Sequence, residues 1–198
     1  MIRILSVFVI VILQRDLVLA DCGVVTREQW DGVSPTRVEY LPRPVGLVII
    51  MHTVSPTCST DKACAEQVRT LQTYFLDQLN YWDLGPSFLI GGNGKVYEGP
   101  GWIHVGAHTY GYNRKSIGIS FIGNFNNSLL LDDKPTPQAL AAAKALIKCG
   151  VTKGHLKSDY KLVGARQLIA TESPGRKLYQ EIRSWPDWTD NLEGIKNN

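Results

Sequence analysis

"VGLVIIMHT", residues 45–53, is an unbroken apolar and β-branched run that ends on a histidine and a threonine. A short run without polar alternation predicts a strand buried on both faces, hence a sheet covered on each side. A histidine at the mouth of such a strand is where many hydrolases place a metal ligand. Whether His52 holds a metal therefore decides whether this chain cuts its target or only holds it.

Working outward, "VSPTCSTD" (54–61) is a loop. A helix is expected from Cys64, capped by Thr60 or Asp61, because Cys64, Val68, Leu71, Phe75 and Leu79 form one helical stripe. "GGNG" joins "SFLI" to "KVYEG" as a β-hairpin, and "SIGISFIGNF" (116–125) reads as an alternating strand. Thr136 as N-cap and Pro137 at the first position open a helix that ends at Gly150. "YKLVGA" is a short strand, and Ser173 with Pro174 is expected to cap a final helix. Upstream, the Pro-rich and polar segment to about residue 44 should wrap the domain rather than join its core. Strands interleaved with helices give an α/β domain with a central mixed sheet.

The chain has 198 residues, enough for one domain, and a net charge of +3. Without a Lys/Arg run, that charge does not point to nucleic acid as a partner. "MIRILSVFVIVIL" followed by "LVLA" reads as a secretory signal peptide over residues 1–20, leaving a single domain over 21–198. The apolar stretch is broken by "QRD" and is too short for a membrane anchor. The remaining cysteines are Cys22, Cys58, Cys64 and Cys149. An even count behind a signal peptide argues for two disulfides, with three pairings open. Cys58 and Cys64 are the local pair, which leaves Cys22 with Cys149, a closure worth about 4–5 kcal/mol in the chain-entropy view. "NNS" makes Asn126 a glycosylation acceptor in an exported chain.

"FLIGGNGKVYEGPGW" (88–102), "GAHTYGYNRKSIGISFIGNF" (106–125), "ALIKCGV" (145–151) and the spaced "ATESPG..LY.EI..WP.W" (170–188) together resemble the peptidoglycan recognition proteins of animals. The likeness runs from about Cys22 to Trp188 and is greatest to the short secreted insect members. It implies an N-acetylmuramoyl-L-alanine amidase-like fold and the same two disulfides. Catalytic members bind zinc through two histidines and a cysteine, with a tyrosine beside the bound water. The matching positions here are Met51, Ala165, Ser173 and Pro86. A thioether is a poor zinc ligand, and alanine and proline offer no donor. No cofactor, no metal and no amidase activity are therefore expected; the rival reading is a peptidoglycan-hydrolysing amidase. His104 and His155 are expected to be solvated.

The resemblance carries a ligand groove onto His52, Thr53, Phe75, Asn80, Tyr81, Trp102, His108 and Asn113. Members that prefer diaminopimelate in the stem peptide carry Gly-Trp at the reading pair and an arginine in Gly-Arg-Gly-Trp. Here the pair is Asn80-Tyr81 and the arginine position is Pro100. Lysine-type peptidoglycan, typical of many Gram-positive bacteria, is the expected ligand. The expected setting is extracellular, with protein partners in a Toll-type immune protease cascade.

Overall fold

The computed structural model describes residues 21–126 and 134–196. The expected signal peptide lies outside the described residues, as does Ser128 of the sequon; Asn126 itself is half-buried.

A six-stranded mixed sheet forms the centre: β1 (Val24–Val25), β2 (Val45–His52), β3 (Phe88–Ile90), β4 (Val96–Glu98), β5 (Ile117–Phe121) and β6 (Leu156–Gly164), in the order β1-β4-β3-β5-β2-β6. Only the β3–β4 hairpin is antiparallel. β2 runs parallel to β5 on one side and to β6 on the other, so the 45–53 segment lies inside the sheet. Val48, Ile49 and Ile50 are fully buried. At about 1.5–3 kcal/mol for each apolar side chain removed from water, this strand anchors the domain.

Helices cover both faces. α2 (Pro137–Thr152) and α3 (Arg176–Ile182) pack Ala143, Leu146, Leu178 and Ile182 against Val48, Ile50 and Ile119. α1 (Asp61–Thr73) packs Cys64 and Val68 with Leu89 and Tyr97 on the other face. From Leu47 to Met51 the even and odd residues of β2 thus enter different clusters, as a period of two requires; Val45, before the irregularity at Val45/Leu47, joins the cluster of Val48 and Ile50. Disulfides join Cys22 to Cys149 and Cys58 to Cys64. No helix among the described residues is long and apolar enough to cross a membrane.

Several local expectations need correction. Thr60 does cap α1, its hydroxyl accepting from the Ala63 N–H at 3.2 Å, but the helix starts at Asp61 and passes into a π-helical turn over Tyr74–Gln78. The wider turn rotates the apolar stripe, leaving Phe75 half-buried and Leu79 exposed. β5 does not alternate in burial, because strands flank both of its edges and both faces are covered. α2 continues to Thr152, and β6 is longer than expected, with exposed polar residues at 157–159 disguising its first half. Ser173 is not the α3 cap, since Gly175 precedes that helix. The wrapping segment also contributes to the core: Trp30 is fully buried and donates from Nε1 to the Glu98 carbonyl at 3.1 Å.

Candidate functional site

β2, β5 and β6 are parallel, so their carboxyl ends lie together, where open α/β sheets place their ligand crevices. A cavity of about 270 Å³ opens there. Met51 and Ser120, register partners on β2 and β5, contribute to its floor. Pro86, Ala165 and Ser173 converge on the same cavity from three separate segments.

Each side chain around it is held by local chemistry. The Ser173 hydroxyl accepts from the His52 N–H at 3.1 Å. His52 Nδ1 accepts from the Phe125 N–H at 3.1 Å, so the neutral ring carries its proton on Nε2. Burial pushes this imidazole down to about 4. Thr53 Oγ1 accepts from the Gly123 N–H at 3.0 Å and lies 2.7 Å from Ser55 Oγ. The His108 ring rests on Gly118, where a Cβ would approach it to 2.6 Å. Its Nε2 is enclosed without a protein partner, and burial pushes its pKa down to about 4 as well. Asn113 shapes this loop: its side-chain carbonyl accepts from the N–H groups of His108 and Thr109 at 3.0 and 2.8 Å.

A second cavity of about 280 Å³ adjoins the first, sharing Tyr81 and Ala107 with it, so the two form one groove. Asn80 and Asn113 line the outer cavity, Phe75 and His108 the inner one, and Tyr81 stands between them. The Phe75 and Tyr81 rings lie 5.6 Å apart, and the Tyr81 N–H donates to the Phe75 carbonyl at 2.9 Å. Asn80 has φ 53°, a left-handed conformation in which asparagine is enriched.

The outer wall is electrostatically organised. Arg27, from the wrapping segment, donates to Asp83 Oδ1 and Oδ2 at 2.8 and 2.5 Å, and to the carbonyls of Val33 and Gly99. Their side chains are 16% and 10% exposed, so this pair is largely desolvated. Arg114 grips Glu39 through Nε and a terminal nitrogen at 2.6 and 3.0 Å. The Arg114 hydrogen bond is the main reason the Glu39 carboxyl is held below its ordinary range.

Seven of the eight expected groove residues line one or other cavity. Trp102 does not. It is 4% exposed, stacks on His155 with centroids 4.9 Å apart, and belongs to the core with Phe88. It lines a separate cavity of about 230 Å³ beside Arg27 and Pro35. His155 is likewise not solvated: it is buried and accepts from Arg43 at 2.7 Å. His104 is half-buried and lines the outer cavity. Sequence reasoning missed Arg37, Glu39, Trp82 and Arg114 in the outer cavity and Thr171 in the inner one. The aromatic pair Tyr81-Trp82 was a usable signal for Trp82; the wrapping segment carried none for Arg37.

Among the described residues, no group of three or more His, Cys, Asp or Glu side chains is placed to hold a metal. The inner cavity instead presents a thioether, a proline, an alanine and a hydroxyl already engaged by the backbone. That donor set does not fit zinc.

Residues 41–177 match the family model described as N-acetylmuramoyl-L-alanine amidase. The chain is 66% identical over 174 residues to a peptidoglycan recognition protein of Trichoplusia ni, covering 88% of this chain and 93% of that one. The solved structure of Manduca sexta peptidoglycan recognition protein-1 superposes with a TM-score of 0.82 at 57% identity, covering 89% of this chain and all 100% of that one. Peptidoglycan recognition protein LE, solved with tracheal cytotoxin, a monomeric diaminopimelic acid-type peptidoglycan, superposes with a TM-score of 0.81 at 38% identity, covering 86% and 98% of the two chains.

Proposed function

The chain belongs to the peptidoglycan recognition protein family, and from that premise we propose that it is an exported immune recognition protein that binds peptidoglycan in the Tyr81-centred groove without cutting it. One observation carries the reading. Met51, Pro86, Ala165 and Ser173, the positions at which the family resemblance expects the zinc machinery, meet in a single cavity. The catalytic centre is thus replaced as a unit while the groove around it remains. Without three protein donors, no metal is held to polarise an amide or to acidify a water.

The remaining residues suit recognition. His52, with its proton on Nε2, offers a neutral donor. Phe75 and Tyr81 supply apolar faces, and Asn80 and Asn113 contribute amides. Aromatic surface with a few fixed polar groups fits a saccharide carrying a short peptide. Asn80-Tyr81, with Pro100 at the arginine position, favours the lysine-type stem over diaminopimelate, because a carboxylate-gripping guanidinium is missing at that point. The partners of such a protein are the polymer itself and the components of a Toll-type protease cascade.

The test is retention on purified lysine-type and diaminopimelate-type polymers, with muropeptide release followed by mass spectrometry in added zinc. Stronger retention on the lysine type without released peptide supports the reading. Equal or stronger retention on the diaminopimelate type refutes the specificity, and zinc-dependent release refutes the non-catalytic assignment in favour of an amidase.

A further inference from the structure

The charged side chains lining the outer cavity are Arg37, Glu39, Asp83 and Arg114. Asp83 is gripped from behind by Arg27, and Glu39 by Arg114. Those two pairs cancel. Arg37 also faces Glu39 electrostatically, but as the weakest influence on that carboxylate, whose hydrogen bonds go to Arg114. The cavity is left with one net positive charge, on Arg37.

That charge is positioned. The Arg37 guanidinium lies over the Trp82 ring, 4.5 Å from its centroid. Trp82 is 45% exposed, and its carbonyl accepts from the Thr36 N–H at 2.9 Å, tying the two segments together beside the stack. A guanidinium held over an aromatic face loses less freedom when it binds than a free side chain, and it keeps its N–H donors, whose fork matches a planar carboxylate.

We propose that Arg37, held on Trp82, is a carboxylate receptor in the outer cavity, and that the groove selects stem peptides bearing a free carboxylate there over their amidated forms. The inference rests on the groove being the peptidoglycan site and assigns the chemistry of one end of it. Glu39–Arg114 flanks the receptor and keeps a second positive charge from competing with it.

The experiment is calorimetric titration with three versions of one lysine-type muramyl tripeptide. One is the free acid, one has the C-terminal carboxylate amidated, and one has isoglutamine in place of isoglutamate. The wild type is expected to bind one amidated form about three- to tenfold more weakly than the free acid, as a partly exposed charged contact allows. That difference should shrink in 1 M salt. Arg37→Gln should erase the discrimination while leaving the melting temperature unchanged, and Arg37→Lys should restore only part of it. Wild-type binding that ignores amidation, or discrimination that survives Arg37→Gln, overturns the proposal. A wild type that binds none of the three peptides refutes the groove assignment itself, a result distinct from a receptor failure.

Discussion

Replacing Arg27 by methionine tests how the groove's back wall is held. The side chain makes two hydrogen bonds to Asp83 and one each to the carbonyls of Val33 and Gly99. Val33 retains a second donor, Gln72 Nε2 at 2.9 Å, and Asp83 retains the Leu84 N–H at 2.7 Å. The Asp83 carboxylate, only 10% exposed, would nonetheless lose its counter-charge. Stranding a buried charge costs about 3–5 kcal/mol. In a domain of this size, that corresponds to roughly 6–20 °C in melting temperature. Urea unfolding monitored by circular dichroism, with both disulfides intact, gives the free energy by linear extrapolation. The double variant Arg27→Met/Asp83→Leu should recover at least half of the loss, because removing both charges removes the desolvation penalty with them. A single-variant loss below about 1 kcal/mol, the worth of an exposed pair, would refute the view that this contact is desolvated.

Stability should also fall as the solution is acidified. His52 and His108 have folded pKa values of about 4, below the ordinary 6.5, so the unfolded chain takes up protons first, and stability present near neutrality is lost between about pH 6.5 and 4. Urea midpoints at pH 7, 5.5 and 4.5 measure the slope, and His52→Asn should flatten it; an unchanged slope in that variant contradicts the assignment. Thr136→Ala removes the hydroxyl that accepts from the Ala139 N–H at 3.1 Å and donates to the Gly92 carbonyl at 2.7 Å, and should cost about 1–2 kcal/mol; a loss of only a few tenths would show that water replaces both bonds. Wild-type protein dialysed against zinc should retain none by elemental analysis. The variant Met51→His/Pro86→Tyr/Ala165→His/Ser173→Cys should retain zinc near stoichiometry; zinc bound by the wild type would refute the donor-set argument.

What could be read from the sequence divides along physical lines. The β2 strand, the hairpin and the α2 cap are local or strongly periodic features, and each appeared where expected. Groove residues were recoverable because the family motifs carry them in order. Most of the failures at the site trace to contacts distant in sequence. Trp102 follows a glycine in a loop and looks like a groove wall; only the fold reveals His155 stacked upon it. Trp30 sits among polar and proline residues, yet the sheet's edge receives its indole. Arg37 acquires meaning only because Trp82, far along the chain, lies beneath it. The π-helical turn after α1 is invisible to a 3.6-residue period, which is why Leu79 was misplaced.

The left-handed backbone at Asn80 bears on how specificity can change over evolution. At φ 53°, glycine is unstrained and asparagine is tolerated, whereas β-branched or bulky residues are disfavoured. The family resemblance sets glycine or asparagine at this position in readers of different stem peptides. Those are the two residues the chain's own geometry admits most readily. Ligand preference at this point would then be chosen from a short conformational alphabet. A library randomised at position 80 should return folded protein chiefly with Gly, Asn and Asp, whatever polymer is used for selection.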